Sequence, residues 1–219
     1  MGGKVVTAKT EVLPIFPLKT VLFPGMPLPL HIFEERYRRM IGECLAGNGN
    51  FGVVLIKEGE EAGPPAVPFE VGTEVKITRA ERLDDGKLNI LVVGQRRFKI
   101  VRLLEPAPYP SAEVVILPEL DGDREQALLT DQILRLVLTD FMQLASIFAM
   151  VPVFPFRFPS DPAQFSFLAA HLLSAPMTTK QQLLESETVE DRLKLARKLF
   201  VEERTRFIKE EIPKSFPEN

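Results

Sequence analysis

Between Leu13 and Tyr37 the chain reads LPIFPLKTVLFPGMPLPLHIFEERY. Prolines at 14, 17, 24, 27 and 29 interrupt leucines, isoleucines and phenylalanines, with Lys19 the one charged residue before Glu34. No helix passes through such a stretch, because each ring removes an N–H and clashes with the preceding turn. A bilayer-spanning helix needs about 18 or more consecutive apolar residues, which this chain lacks. Proline also bars the segment from the middle of a sheet, leaving extended chain at an edge. Alternate side chains of extended chain point to opposite sides. Phe16, Phe23, Met26, Leu28, Leu30, Ile32 and Phe33 therefore cannot all face one core, and some must line an edge, a groove or an interface.

The remainder of the first half reads as strands and turns. Thr73 to Arg82 alternates and runs into Asp84-Asp85-Gly86-Lys87, and Asp-Gly between strand-like runs signals a hairpin. The return run LNILVVGQRRFKIVRLL contains Gly94, where a bulge or bend is expected. Beyond it Phe98 and Ile100 alternate with Arg97 and Lys99. The continuous apolar run FGVVLI at 51–56 suits a strand covered on both faces, and 112–117 gives one more strand. The segment 57–70, KEGEEAGPPAVPFE, reads as a loop. One helix interrupts, at 34–46, where Tyr37, Met40, Ile41, Cys44 and Leu45 recur at helical spacing. Gly47 is expected as its left-handed C′ residue.

From Asp121 the period becomes helical. The segment 128–148 is apolar nearly all round and is expected to be central and covered. Asp161-Pro162-Ala163-Gln164 is a well-formed helix start, Thr178 and Gln181 repeat the capping-box spacing, and a last helix begins near Thr188, with Pro213 as its stop. The expected fold is α+β: a β-rich domain with one helix over 11–118, then a helical bundle over 119–212.

Several function classes fall away on composition. A net charge of −3 supplies no global field for capturing phosphate, which argues against nucleic acid. The single cysteine, Cys44, makes no internal disulfide, and the expectation is a reducing, cytoplasmic setting. MGGKVVTAKT lacks the apolar stretch of a signal peptide, and Val6 stands where a myristoylation site wants Ser or Thr.

Three stretches carry a family resemblance. LPIFPLKTVLFPGMPLPLHIFEERYRRMI, NFGVVLI and VGTEVKITRAERLDDGKLNILVVGQRRFKI together resemble the N-terminal, substrate-binding domain of Lon proteases, in the free-standing form without ATPase and peptidase modules. The specific features are Phe23-Pro24-Gly25, Pro29-Leu30, the glutamate-led helix start and Gly94-Gln95-Arg96-Arg97-Phe98. In the second half, Lys180-Gln181-Gln182-Leu183-Leu184 and Asp191-Arg192-Leu193 resemble the family's bundle. The resemblance implies a PUA-like β pseudo-barrel followed by an α-helical bundle, and a non-enzymatic module that binds apolar or unfolded polypeptide. No G-x-x-x-x-G-K-[ST] phosphate loop occurs in the sequence, and the chain ends at Asn219, where a peptidase module is not expected to fit. The implied partners are unfolded or degron-bearing polypeptides and full-length Lon protease, with no cofactor and no metal.

His31 with Glu34 and Glu35 invites a metal or acid-base reading, but neither His31 nor His171 has a second histidine or a cysteine at ligand spacing. Cys44 falls on an apolar helix face and reads as a packed hydrophobe. Without a G-x-S-x-G elbow, a hydrolase rests on family association alone. Arg96, Arg97, Lys99 and Arg102 form a basic strand that reads as a solvated face, the alternative being RNA phosphate. The binding surface is therefore expected at Phe23, Met26, Leu28, Ile32, Phe33 and Tyr37, joined by Phe154 and Phe156 of the second proline-rich aromatic stretch, FAMVPVFPFRFPSDP. A homodimer through the same apolar surface would compete with capture.

Overall fold

The computed structural model describes residues 9–64, 66–105, 108–149 and 157–215. The chain separates into two units, Met1–Pro118 and Glu119–Asn219, each described by itself. The first holds strands Thr10–Leu18 (β1), Pro27–Ile32 (β2), Asn50–Glu58 (β3), Val67–Arg82 (β4), Leu88–Leu103 (β5) and Ser111–Ile116 (β6), with helix Glu35–Ala46 (α1) after β2. The sheet order is β2-β5-β4-β3-β1-β6, and β6 also pairs with β5. Strands β5, β4, β3, β1 and β6 thus close into a barrel, while β2 flanks the first half of β5. The architecture is α+β, as the pattern of alternation predicts. β4 begins at Val67, so part of the stretch expected as loop is strand, paired through Pro68 with Ile56.

Pro17, Pro27 and Pro29 sit where the ladder asks nothing of them. The Gly94 N–H donates to Met26 O (3.0 Å), so Met26 and Gly94 face each other across a hydrogen-bonded pair. By alternation Leu28, Leu30 and Ile32 direct their main-chain groups at Val92, Ile90 and Leu88, whereas Pro27, Pro29 and His31 turn theirs away from β5. In β1 the Ile15 N–H donates to Pro110 O (2.8 Å), so odd-numbered residues address the β6 side. Pro17 lies two residues further on, beyond the reach of β6. None of these rings costs the sheet a hydrogen bond.

Two clusters fill the unit, and β3 feeds both. Phe51 and Val53 join Phe16, Tyr37, Met40, Ile41, Val75 and Val92 beneath α1. Val54, on the other face, joins Ile15, Phe98, Ile100 and Val114. This accounts for the unbroken apolar run. Phe16 meets Tyr37 edge-on at 4.3 Å and Phe51 at 6.1 Å, contacts worth about 0.5–1.5 kcal/mol each beyond area burial. Phe98 lies against bare backbone: a Cβ at Gly72 would stand 2.5 Å from Val53 O and 2.8 Å from the Phe98 ring, and one at Gly52 2.6 Å from that ring. The expected irregularity at Gly94 is present, since the register steps from Glu74↔Arg96 to Val75↔Gly94 and leaves Gln95 unpaired. α1 ends where Gly47 donates to Glu43 O and Cys44 O, but the left-handed residue is Gly49 (φ 74°), whose N–H also reaches Cys44 O (2.8 Å). Leu45 stays outside the buried stripe.

The second unit comprises helices Arg124–Ala149 (α2), Pro162–Leu172 (α3), Met177–Glu185 (α4) and Val189–Ser215 (α5). Asp161 caps α3 through Ala163 N (3.4 Å) and Gln164 N (3.2 Å), as its sequence predicts. α4 instead starts one residue before Thr178, after Pro176 and without a side-chain cap, and Gln181 is buried with its amide on Glu185. Thr188 caps α5, its Oγ1 accepting the Asp191 N–H (3.0 Å) and donating to Asp191 Oδ2 (2.6 Å), and α5 continues past Pro213 to Ser215. At the centre Arg192 is fully buried, donating to Ser166 Oγ (2.7 Å) and Glu119 Oε2 (2.7 Å) over the Phe167 ring. α2 is not covered all round: Leu129, Leu136 (72% exposed) and Ile147 (71%) share an open stripe, because α5 occupies one side, through Phe207 against Phe141 and Phe148.

Two measurements test this packing. Gly42, mid-way along α1, would place a Cβ within 4 Å of nothing, so Gly42→Ala should raise unfolding free energy by about 1 kcal/mol, whereas Gly72→Ala should lower it by roughly 1–3 kcal/mol or more; urea melts compare them. In the second unit the buried Oε2 of Glu203 has no hydrogen-bond partner, and burial raises this carboxyl's pKa despite a backbone hydrogen bond from Ser174 to the carboxyl and the charges of Arg206 and Lys180 nearby. A raised folded pKa contributes stability below the ordinary value and loses it as pH rises. Glu203→Gln should therefore melt higher than wild type at pH 7, with the gap closing towards pH 4.

Candidate functional site

The barrel leaves one seam. Past Pro14, β1 has lost β6 but keeps β3 on its other side, and among the described residues β2 pairs only with β5. Between these two free edges lies a furrow of about 180 Å³. Its walls are Phe16, Pro17 and Leu18 from β1 and Pro29, Leu30, His31 and Ile32 from β2, with Phe33, Glu34, Tyr37 and Glu61 around them. β2 is placed there by a strict period of two: Leu28, Leu30 and Ile32 turn towards the core, and Pro27, Pro29 and His31 lie outward.

At the mouth stands Phe33, 54% exposed and stacked on His31 at 6.2 Å between ring centroids. His31 in turn donates from Nδ1 to Asn89 Oδ1 (2.7 Å), its cross-strand neighbour. Glu34 pairs with Arg36 (3.0 Å), whose guanidinium lies 4.6 Å over the Tyr37 ring and whose Nη2 donates to Glu61 O (3.5 Å). Glu61 accepts the Lys19 N–H on Oε1 (2.5 Å), and Lys19 Nζ pairs with Glu60, so the 59–64 loop is tied across one end. Burial raises the Tyr37 hydroxyl pKa and keeps it neutral.

The residues expected to bind divide sharply in this setting. Ile32, Phe33 and Tyr37 line the furrow together, though only Phe33 projects into solvent, and Ile32 and Tyr37 are buried supports. Met26 and Leu28 are half-buried against the core under α1. Phe23 is fully buried, because the turn after β1 folds back over Gly94 and a Cβ there would meet the Phe23 carbonyl. It does not reach the furrow. Phe154 and Phe156 lie outside the described residues. Leu18, Leu30, Glu34 and Glu61 were not singled out from sequence as binding residues; the alternation through β1 and β2 marks the leucines, but nothing local marks Glu61.

The other candidate chemistry is occupied. Arg96 pairs with Glu74 and Glu11, Lys99 with Glu70 (3.4 Å), and Arg102 with Glu113 (2.7 Å). Arg97 is buried, because the chain after β6 crosses it: Leu117 N–H donates to Arg97 O and Arg97 Nη2 to Pro118 O. The strand presents carboxylate-neutralised cations, not a row of free ones. A second, wider groove of about 560 Å³ runs between α1 and the β4–β5 hairpin, walled by Arg38, Arg39 and Arg82. Among the described residues no group of three His, Cys, Asp or Glu side chains could hold a metal, and no helix is long and apolar enough to cross a membrane.

Residues 12–202 match the family model of the ATP-dependent protease La (LON) substrate-binding domain. The chain belongs to this family. It is 30% identical over 190 residues to a Lon protease of Dictyoglomus thermophilum and 31% identical over 192 residues to Lon protease 2 of Herpetosiphon aurantiacus, matches that take in 84% and 85% of this chain. The chain spans about 23% of the length of those two relatives. Among solved structures, the Lon N-terminal domain protein from Xanthomonas campestris superposes with a TM-score of 0.60 at 28% identity, covering 84% of this chain and 95% of that one. The N-terminal domain of Mycobacterium avium complex Lon protease superposes at 0.64, with 21% identity and coverage of 87% and 98%, a likeness of fold.

The Lon-like unit carries one thiol whose state can be checked. Burial pushes the Cys44 pKa up to about 11, and its neighbour Glu43 adds to the shift. The thiolate is scarce below that pH, so modification by iodoacetamide at pH 8 should be slow in the native protein and fast in urea.

Proposed function

We propose that this Lon-family domain is a non-catalytic recognition module that captures apolar side chains of unfolded or degron-bearing polypeptides in the furrow between β1 and β2. The observation that carries this reading is Phe33, an exposed ring at the mouth of an apolar cleft whose floor is already packed. One such site gives weak, sequence-tolerant binding: burying a single side chain contributes about 1.5–3 kcal/mol, and ordering a flexible chain offsets much of it. Weak and tolerant capture suits an adaptor or holdase in the cytoplasm, able to deliver clients to a full-length Lon protease or compete with one. Self-association through the same ring would then be inhibitory.

A role without chemistry is supported by the state of the reactive groups: the Cys44 thiol is buried and His31 Nδ1 is committed to Asn89. RNA is disfavoured by the carboxylate partners of Arg96, Lys99 and Arg102.

Phe33→Asp tests the assignment. Because the ring is exposed, its melting temperature should stay near wild type, while affinity for a reduced and carboxymethylated protein that cannot refold should drop about tenfold or more. Unchanged affinity, or no binding by wild type, would overturn the reading.

A further inference from the structure

The two edges that frame the furrow share an unusual chemistry, and it follows from the proline register. An ordinary free strand edge offers N–H donors and C=O acceptors in alternation. Along β2 the groups directed outward belong to Pro27, Pro29 and His31, and along the β1 side of the seam to Pro17. Prolines have no N–H. Within the furrow the two strand edges therefore present three main-chain carbonyls, of Pro17, Pro29 and His31, against one main-chain N–H, that of His31. The carboxylates of Glu34, which also pairs with Arg36, and of Glu61, which also accepts the Lys19 N–H, join them at the furrow wall with lone pairs to spare. The furrow is apolar at its base, and the two strand edges that frame it are mostly hydrogen-bond-accepting.

We infer that the furrow selects a polypeptide segment in which an apolar side chain is flanked by hydrogen-bond donors, foremost lysine or arginine, and that it rejects acidic flanks. This rests on the proposed capture role and adds the specificity to it. Donor and acceptor complementarity is what names the occupant. A lysine or arginine head beside the inserted side chain reaches ionised or carbonyl oxygens whichever way the segment runs. An acidic flank brings acceptors to acceptors and like charges to Glu34 and Glu61. Regular strand addition, which needs donors and acceptors on the receiving edge, is closed off here, since a bound strand's own carbonyls would find only the His31 N–H. Recognition runs through side chains.

The probe is an acetylated, amidated dodecapeptide with a Phe-Leu-Phe centre flanked by lysines, compared with its twin flanked by glutamates. Both carry the same fluorophore and are read by anisotropy at physiological ionic strength. The lysine peptide should bind about tenfold more tightly. Glu34→Gln with Glu61→Gln should cut that preference to about threefold or less, whereas Glu81→Gln with Glu125→Gln, which removes the same charge elsewhere, should leave it at about tenfold. If the first pair lowers the melting temperature, Glu61→Gln alone carries the comparison. Equal affinity of the twins, tighter binding of the glutamate peptide, or a preference untouched by the furrow substitutions overturns the inference and leaves apolar capture standing. Failure of either peptide to bind removes both.

Discussion

A proline offers a neighbouring strand no N–H, and the places where prolines stand in β1 and β2 shape the open edges of the β unit. Pro17, Pro27 and Pro29 each direct the missing N–H away from a partner strand, so β2 pairs with β5 alone, and β1, paired with β6 up to Pro14, keeps only β3 beyond it. The barrel closes through β5 and β6 instead. Among the described residues, the furrow lies where Pro17 and Pro29 stand on unpaired edges. Backbone chemistry set by a few residues thus decides where the wall stays open.

The packing behind the gap is rigid. Phe16, at the back of the furrow, is held edge-on by Tyr37 and Phe51, so the cleft is backed by a clamped aromatic cluster. On the far side of β3, Phe98 is pressed onto glycine backbone at 52 and 72. The two clusters share β3, so a disturbance of either core is felt at the other.

Much of this was legible in the residues. Prolines spaced by two among leucines mark an edge strand, Asp-Gly marked the hairpin that closes at Leu83 and Lys87, and Asp161-Pro162 marked α3. What local pattern could not convey was long-range covering. Phe23 resembles its exposed neighbour Phe33 in sequence, yet the turn carrying it is fixed by Gly25 N–H on Gly94 O, a contact across 69 positions, and by the Thr73 hydroxyl on Leu22 O. Arg97 looks like a surface cation and is buried because the chain after β6 happens to cross it. Glu61 enters the furrow from a loop whose composition predicts only irregularity. The apolar circumference of α2 suggests burial all round, but α5 occupies one side and an open stripe remains.

The prolines have a bearing on the company such a domain keeps. Unfolded chains at high local concentration assemble into cross-β fibrils by adding to any strand edge that can continue their ladder. An edge stripped of alternate N–H groups cannot serve as that template, however sticky the side chains beside it. The exposed Phe33 ring thus stands beside an edge that offers no regular cross-β ladder to extend.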